Sequence, residues 1–113
     1  MECIVYARER WGEITSKEYK SAGGNWDAQS LYNNWTGSKG KTMPDGNLPA
    51  LALWNDNFRG AGHTGIVENK SWYDFLYSDH NGLDGGNFGY GEFYGTSQEI
   101  KNLFPNYIFI GFC

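Results

Sequence analysis

The chain has 113 residues with 13 acidic and 9 basic side chains, which gives a net charge of −4, and this length suits one domain with its own hydrophobic core. The lack of a Lys- and Arg-rich run argues against a nucleic-acid binder, and no apolar stretch approaches the roughly 18 residues of a membrane span. Glycine (16 residues) and aromatic residues (18%) are both abundant, and this composition predicts a β-rich body with long irregular loops.

Two short helices are predicted in the first third of the chain. Residues 3–11 place apolar side chains at helical spacing, and Gly12 is expected to end this helix. Residues 25–35 form a second apolar stripe, with Asn25 as the N-cap and Asp27 in the first turn.

Strands follow from residue 50. Four runs are rich in apolar, β-branched or aromatic residues and are bounded by Gly, Asn or Asp: residues 50–55, 63–69, 71–81 and 107–113. Residues 82–95 are expected to form a loop, because they hold six glycines and four aromatic residues. The run Thr96-Ser97-Gln98-Glu99 predicts a capping box and a helix that stops before Pro105. Helices followed by an antiparallel sheet predict an α+β domain over residues 1–113.

Cys3 begins the first predicted helix. Free backbone N–H groups and the helix dipole favour an anion there, so we expect the pKa of this thiol to be lowered and the thiolate to be a usable nucleophile. Two other interpretations stay open, namely a small buried apolar residue and a disulfide with Cys113, although two cysteines make a poor disulfide framework.

His63 begins the second predicted strand, directly after a glycine-rich loop. A strand end beside a loop is a suitable place for a general base, because the side chain is rigid yet reachable. If strands 63–69 and 71–81 form a hairpin that turns at residues 69–71, His63 lies opposite residues 77–79. The alternative is a surface histidine at a turn.

Asp79 and Asn81 share one strand face under the two-residue period, whereas His80 points to the other face. The hairpin therefore brings Asp79 within reach of His63, as a Cys/His/acid relay requires. The alternative for residues 78–82 is a polar strand end followed by a turn.

With these residues the chain resembles the CHAP domain, the cysteine- and histidine-dependent amidohydrolase/peptidase of the papain-like NlpC/P60 superfamily. The similar segments are C-I-V-Y-A from Cys3, G-N-W-D-A at residues 24–28, G-N-L-P-A-L-A-L-W at residues 46–54, G-H-T-G-I-V-E at residues 62–68, and Asp79-His80-Asn81. The resemblance covers essentially the whole chain and implies a papain-like fold with N-terminal helices packed on a small antiparallel sheet.

The resemblance implies that Cys3 is the nucleophile, His63 the base, Asp79 the group that orients the imidazole, and Asn81 an auxiliary polar group. Two positions depart from the family pattern. Asp79 stands where the family commonly has Glu, so either the strand lies closer or Asn81 takes the orienting role. Glu2 stands where Gln is usual, and an ionised Glu cannot donate to an oxyanion. The oxyanion would then rest on the Cys3 backbone N–H and a second donor that the sequence does not identify.

The implied activity is that of a peptidoglycan hydrolase, as in phage endolysins and bacterial cell-wall hydrolases, which cleaves an amide bond in the stem peptide or cross-bridge through a thioester. Whether it is an amidase or an endopeptidase stays open. Aromatic side chains are expected to contact the substrate, and the candidates are Trp26, Phe88, Tyr90, Phe93 and Tyr94. The alternatives are a non-catalytic module that binds cell-wall carbohydrate or peptide, and an immunity or toxin-delivery domain.

No metal or other cofactor is expected, because the spacing of Asp79, Asn81, Asp84 and Asn87 misses the calcium-loop pattern and Cys3, His63 and His80 lack zinc-site spacing. The expected partner is bacterial peptidoglycan, with no nucleic acid and no membrane span. The start of the chain lacks the basic and apolar regions of a signal peptide. We therefore expect action on the cell wall by phage delivery, or by secretion as one domain of a larger protein that carries a separate cell-wall-binding domain.

Overall fold

The computed structural model describes residues 2–18, 27–43, 48–56, 60–72 and 74–113. In these ranges the chain is α+β, as the sequence predicts, and no helix in them is long and apolar enough to cross a membrane. The helices are α1 (Cys3–Thr15), α2 (Ala28–Asn34) and α3 (Ser97–Lys101). The strands are β1 (Ala50–Asp56), β2 (His63–Ser71), β3 (Asp74–His80), β4 (Tyr90–Gly95) and β5 (Tyr107–Phe112).

The strands form one antiparallel sheet in the order β4-β3-β2-β1-β5. Both faces of this sheet are covered. Leu51 and Leu53 of β1 join the hydrophobic cluster that contains residues of α1 and α2, whereas Ala52 and Trp54 join the cluster on the opposite face, which includes Ile100 of α3. Burial on both faces explains why β1 is a continuous apolar run without polar alternation.

Helix α1 extends beyond its predicted end. Gly12 was expected to end it, but the helix continues to Thr15, and Ser16 adopts the left-handed C-cap conformation with its N–H bonded to the Gly12 carbonyl. A glycine inside a helix costs only about 1 kcal/mol relative to alanine. Packing of α1 against β2 and β3 outweighs that preference.

Helix α2 begins later than predicted. Asp27 is the N-cap and not a first-turn residue, because its carboxylate accepts the Ser30 N–H at 2.7 Å. Asn25, the predicted cap, lies outside the described residues. At α3 the predicted capping box is confirmed: Thr96 accepts the Glu99 N–H and Glu99 accepts the Thr96 N–H.

The predicted loop over residues 82–95 contains a strand, so that prediction was wrong for β4. The glycines of β4 stand where a side chain would have no room. A Cβ on Gly91 would lie 2.6 Å from the Leu83 Cβ, and one on Gly95 would lie 2.4 Å from the Phe93 ring. Glycine at these positions reflects crowding between neighbours, although in a sequence it reads as a loop signal.

The β2–β3 hairpin turns later than predicted. It turns after Ser71, which pairs with Asp74, and Ile66 pairs with Ser78. The pairing is therefore displaced by a few residues from the predicted hairpin, in which His63 lay opposite residues 77–79. The hairpin still brings the start of β2 beside the end of β3.

Candidate active site

Cys3 is the first residue of α1, and the first helical hydrogen bond runs from the Tyr6 N–H to the Glu2 carbonyl. Two side chains of α1 fix the helix to the sheet. Tyr6 donates its hydroxyl to Ser78 Oγ at 2.7 Å, Ser78 donates to Glu68 at 2.6 Å, and Arg10 binds the same Glu68 carboxylate. These contacts set where Cys3 stands relative to the ends of β2 and β3.

His63, Asp79 and Tyr77 form one buried hydrogen-bonded group. Nε2 of His63 lies 2.9 Å from Oδ2 of Asp79 and 3.2 Å from the Tyr77 hydroxyl oxygen. The Tyr77 hydroxyl donates to the same Oδ2 atom at 2.7 Å, and the other carboxylate oxygen, Oδ1, accepts the Leu83 N–H at 3.2 Å. Asp79 is fully buried and His63 is 3% exposed, so water competes little for these bonds.

The pKa values of Cys3 and His63 move in opposite directions. Burial alone would raise the pKa of Cys3, but hydrogen bonding and charge attraction from His63, with the Thr64 and Ile4 N–H groups, lower it below the ordinary 9.0. Burial alone would lower the pKa of His63, but hydrogen bonds to Asp79 and Cys3 and their charges raise it to about 9. Both shifts act toward a thiolate–imidazolium pair.

The two nitrogens of His63 have different partners. Nε2 faces Asp79, so we infer that Nδ1 is the nitrogen that faces the Cys3 sulfur. A donor at Nε2 matches the carboxylate acceptor, and this assignment leaves Nδ1 to exchange a proton with the thiol.

The His63–Asp79 pair is enclosed by close contacts. A Cβ on Gly82 would lie 2.4 Å from both Nε2 of His63 and Oδ2 of Asp79, so the backbone at Gly82 covers the pair directly. Phe104 contacts the imidazole edge-on, with ring centroids 4.7 Å apart. The Trp54 ring centroid lies 5.8 Å from that of the imidazole. Trp54 and Phe104 therefore supply apolar walls to the pair.

A cavity of about 290 Å³ opens beside Cys3. Its described lining includes Glu2, Cys3, Asp27, Thr64, Asn81 and Phe88. The cavity thus reaches the nucleophile from the side of the helix start, as a substrate carbonyl would have to do.

Asn81 lies at this cavity but serves a different contact from the one expected. Its Oδ1 accepts the Phe88 N–H at 3.2 Å, and no hydrogen bond to His63 is found for it among the described residues. The additional polar group beside the imidazole is the Tyr77 hydroxyl and not Asn81. His80 points to the other face, as predicted: its ring lies tilted against those of Tyr6 and Tyr90, with centroids 4.8 and 5.6 Å apart.

The predicted substrate-contact residues are dispersed. Phe88 lines the cavity and is 57% exposed. Tyr90 and Tyr94 are exposed on β4, and Phe93 packs against the cluster that contains Trp54. Among the four, only Phe88 is part of the cavity's described lining. Trp26 lies outside the described residues, so its role stays a prediction.

Comparison of the chain with protein-family models, with curated proteins and with solved structures finds no match.

From the sequence, no role is assigned to Tyr77 or Gly82. The signal for Tyr77 was present, because it shares a strand face with Asp79 under the same alternation that placed Asn81.

Cys3 and Cys113 are both free, so the disulfide alternative is wrong. Burial raises the pKa of Cys113 to about 12, which leaves Cys3 as the reactive thiol. No cluster of three or more metal-binding side chains occurs within the described ranges.

Proposed function

We propose that the protein is a cysteine hydrolase that cleaves an amide bond of bacterial peptidoglycan. The observation that carries the proposal is the Cys3–His63–Asp79 arrangement, in which a thiol with a lowered pKa is paired with an imidazole held by a buried carboxylate. The substrate class rests on the resemblance of the Cys3, G-H-T-G-I-V-E and Asp79-His80-Asn81 segments to the CHAP domain. The α+β order of elements is compatible with a papain-like fold, which we include in the proposal.

The first half of the reaction forms a thioester. The Cys3 thiolate attacks the amide carbonyl carbon, and a C–S bond forms as the carbonyl oxygen gains negative charge. Imidazolium His63 then gives its Nδ1 proton to the leaving nitrogen, and the C–N bond breaks. We assign the Cys3 backbone N–H, which precedes the first helical hydrogen bond, as one oxyanion donor. Glu2 lies at the cavity but its carboxylate has no proton to donate.

The second half consumes one water molecule. Neutral His63 takes a proton from water at Nδ1, and the hydroxide attacks the thioester carbonyl. The C–S bond breaks, the thiolate returns, and the carboxylic acid product leaves. Asp79 holds Nε2 of His63 and stabilises the imidazolium, which is consumed in the first half and formed again in the second.

The decisive experiment compares wild type with Cys3→Ala and His63→Ala on purified cell walls. Both variants should lose wall clearing while keeping the wild-type circular dichroism spectrum, and Cys113→Ala should retain clearing as the matched cysteine control. Mass spectrometry of the released fragments identifies the new amine and carboxylate, and so distinguishes amidase from endopeptidase cleavage. Wall clearing by Cys3→Ala at the normal rate would disprove the enzyme proposal.

A second candidate function is a binding module for cell-wall carbohydrate or peptide. Exposed aromatic side chains favour it, since Phe88, Tyr90 and Tyr94 are 57%, 47% and 59% exposed and rings of this kind suit stacking on sugars. The same Cys3→Ala variant separates the two functions. If the protein is a binding module, wild type and Cys3→Ala should sediment with walls to the same extent, and neither should release fragments.

A further inference from the structure

The Tyr77 hydroxyl occupies a position that the proposed reaction does not yet use. It donates to Oδ2 of Asp79 at 2.7 Å and lies 3.2 Å from Nε2 of His63. Oδ2 therefore accepts from two donors, while Oδ1 is held by the Leu83 N–H. The three donors fix the plane of the carboxylate.

The tyrosine ring has little room to move. Tyr77 is fully buried, and it crosses Gly65 of β2 so closely that a Cβ there would lie 2.2 Å from the hydroxyl. Trp54 and Phe104 contact both the Tyr77 ring and the His63 ring. The hydroxyl and the imidazole thus share the same rigid walls, and a shift of one would disturb the other.

The hydroxyl also stays a donor. Burial and the Asp79 charge raise the pKa of Tyr77 well above its ordinary value, so its proton remains available at every pH at which the protein would act. In the part of the chain that the structure describes, the titratable groups that face His63 are Cys3 of α1 and Asp79 and Tyr77 of β3. Trp54 of β1 and Phe104, before β5, add only apolar rings.

We propose that Tyr77 is a positioning residue whose hydroxyl holds the Asp79 carboxylate against Nε2 of His63, so that Nε2 keeps its proton and Nδ1 faces Cys3. This inference rests on the proposed function, because it concerns the same thiolate–imidazolium pair. Without the hydroxyl, Oδ2 would retain one donor and the carboxylate could turn about the Leu83 contact. The imidazolium charge would then spend less time beside the thiolate.

The test is Tyr77→Phe, which removes the hydroxyl and keeps the ring. The rate of iodoacetamide alkylation at Cys3 is followed against pH by mass spectrometry, a measurement that needs no substrate. We expect the pH at which the thiolate forms to rise by about one unit toward that of an ordinary thiol. Tyr32→Phe is the matched control, since it removes the hydroxyl of a half-buried tyrosine on α2 that packs against the cluster on the other face of the sheet from Tyr77.

A second measurement reads the histidine directly. The chain has only two histidines, so ¹⁵N-histidine spectra are simple, and His80→Gln assigns the signals. At a pH above the pKa of His63, where the ring is neutral, we expect its proton to lie on Nε2 in wild type, and in Tyr77→Phe we expect this tautomer to be less populated. Thermal unfolding shows whether each variant is folded under these conditions.

The outcomes separate the two proposals. If wild-type Cys3 titrates as an ordinary thiol, the proposed function fails. If wild-type Cys3 is activated but Tyr77→Phe gives the same alkylation profile and the same ¹⁵N pattern, only the positioning role of Tyr77 is overturned. An equal shift in Tyr32→Phe would also overturn it, because it would show a general effect of losing a tyrosine hydroxyl.

Discussion

Asn81 accepts a hydrogen bond from the Phe88 N–H at 3.2 Å, and both residues have left-handed backbone conformations, with φ of 62° and 60°. His80 contacts the other side of the same segment, with Nδ1 3.3 Å from the Phe88 carbonyl oxygen. Asp84 holds the remainder of the loop by accepting backbone N–H groups. The exposed Phe88 ring therefore stands on a well-bonded segment at the rim of the Cys3 cavity.

Replacing Asn81 by alanine should affect this rim and leave the thiolate unchanged. The variant loses one hydrogen bond and places alanine in a left-handed conformation, which together cost about 1–3 kcal/mol. Thermal unfolding measures the loss of stability, and the alkylation profile of Cys3 should match wild type. Asn81→Gly restores the backbone freedom but not the hydrogen bond, so it should recover part of the loss. A changed Cys3 profile in both variants would return Asn81 to an imidazole-orienting role.

Replacing Asp79 by asparagine should lower the rate of hydrolysis by about 100-fold or more, because the neutral amide cannot stabilise the imidazolium. The change preserves size, so the protein should remain folded. The turnover rate on cell walls is the measurement, and Asp74→Asn on the exposed start of the same strand is the control. Comparable loss in both variants would point to a general charge effect.

The pH dependence of hydrolysis should be bell-shaped. The pKa of Cys3 is lowered, so the thiolate forms below the pH of an ordinary thiol and the rate falls only as acid protonates it. The pKa of His63 is raised to about 9, so the proton needed by the leaving nitrogen is lost as the pH rises through that value. A plot of kcat/KM against pH reports both limits. A rate that keeps rising above pH 9 would contradict the assignment of His63 as the acid.

Gly82→Ala should disrupt the site, because its Cβ would lie 2.4 Å from atoms of both His63 and Asp79. Either the loop or the pair must shift, and we expect loss of hydrolysis together with a slower alkylation of Cys3 at neutral pH.

Gly12→Ala is the opposite case for the same chemical change. Nothing lies within 4 Å of a Cβ at Gly12, and alanine is the better helix former, so stability should rise by about 0.5–1 kcal/mol. If Gly82→Ala proves as harmless as Gly12→Ala in unfolding and alkylation measurements, the tight cover over the His63–Asp79 pair would be disproved.

The α+β order, the capping box at Thr96 and the contact of His63 with Asp79 could be predicted from the sequence. The first follows from the order of the helical and strand patterns, the second from the Thr96–Glu99 spacing, and the third from a hairpin between consecutive strands. The contact survived an error in hairpin register, since Asp79 reaches diagonally along the strand face that faces His63. Strand β4 was missed because its glycines look like loop residues when the neighbours are unknown: Gly91 lies against Leu83, and Gly95 lies against the Phe93 ring of the same strand.

Tyr77 and Gly82 could not be assigned in the same way. Tyrosine in a strand is typical of any half-buried sheet, and only the three-dimensional path of β2, β3 and the following turn shows which hydroxyl meets a carboxylate. Helix ends differed for a related reason: packing against the sheet carried α1 past Gly12.

When the protein unfolds, the alkylation rates of its two thiols should change in opposite directions. Cys113 is an ordinary buried thiol, shielded and protonated in the folded protein, so denaturant should expose it and speed its alkylation. Cys3 gains its thiolate character from a helix start and a histidine that meet only after folding, so denaturant should return it to an unremarkable thiol. Chemical reactivity at this residue is thus an emergent property of tertiary structure, and a partly folded chain would carry the nucleophile without its nucleophilicity.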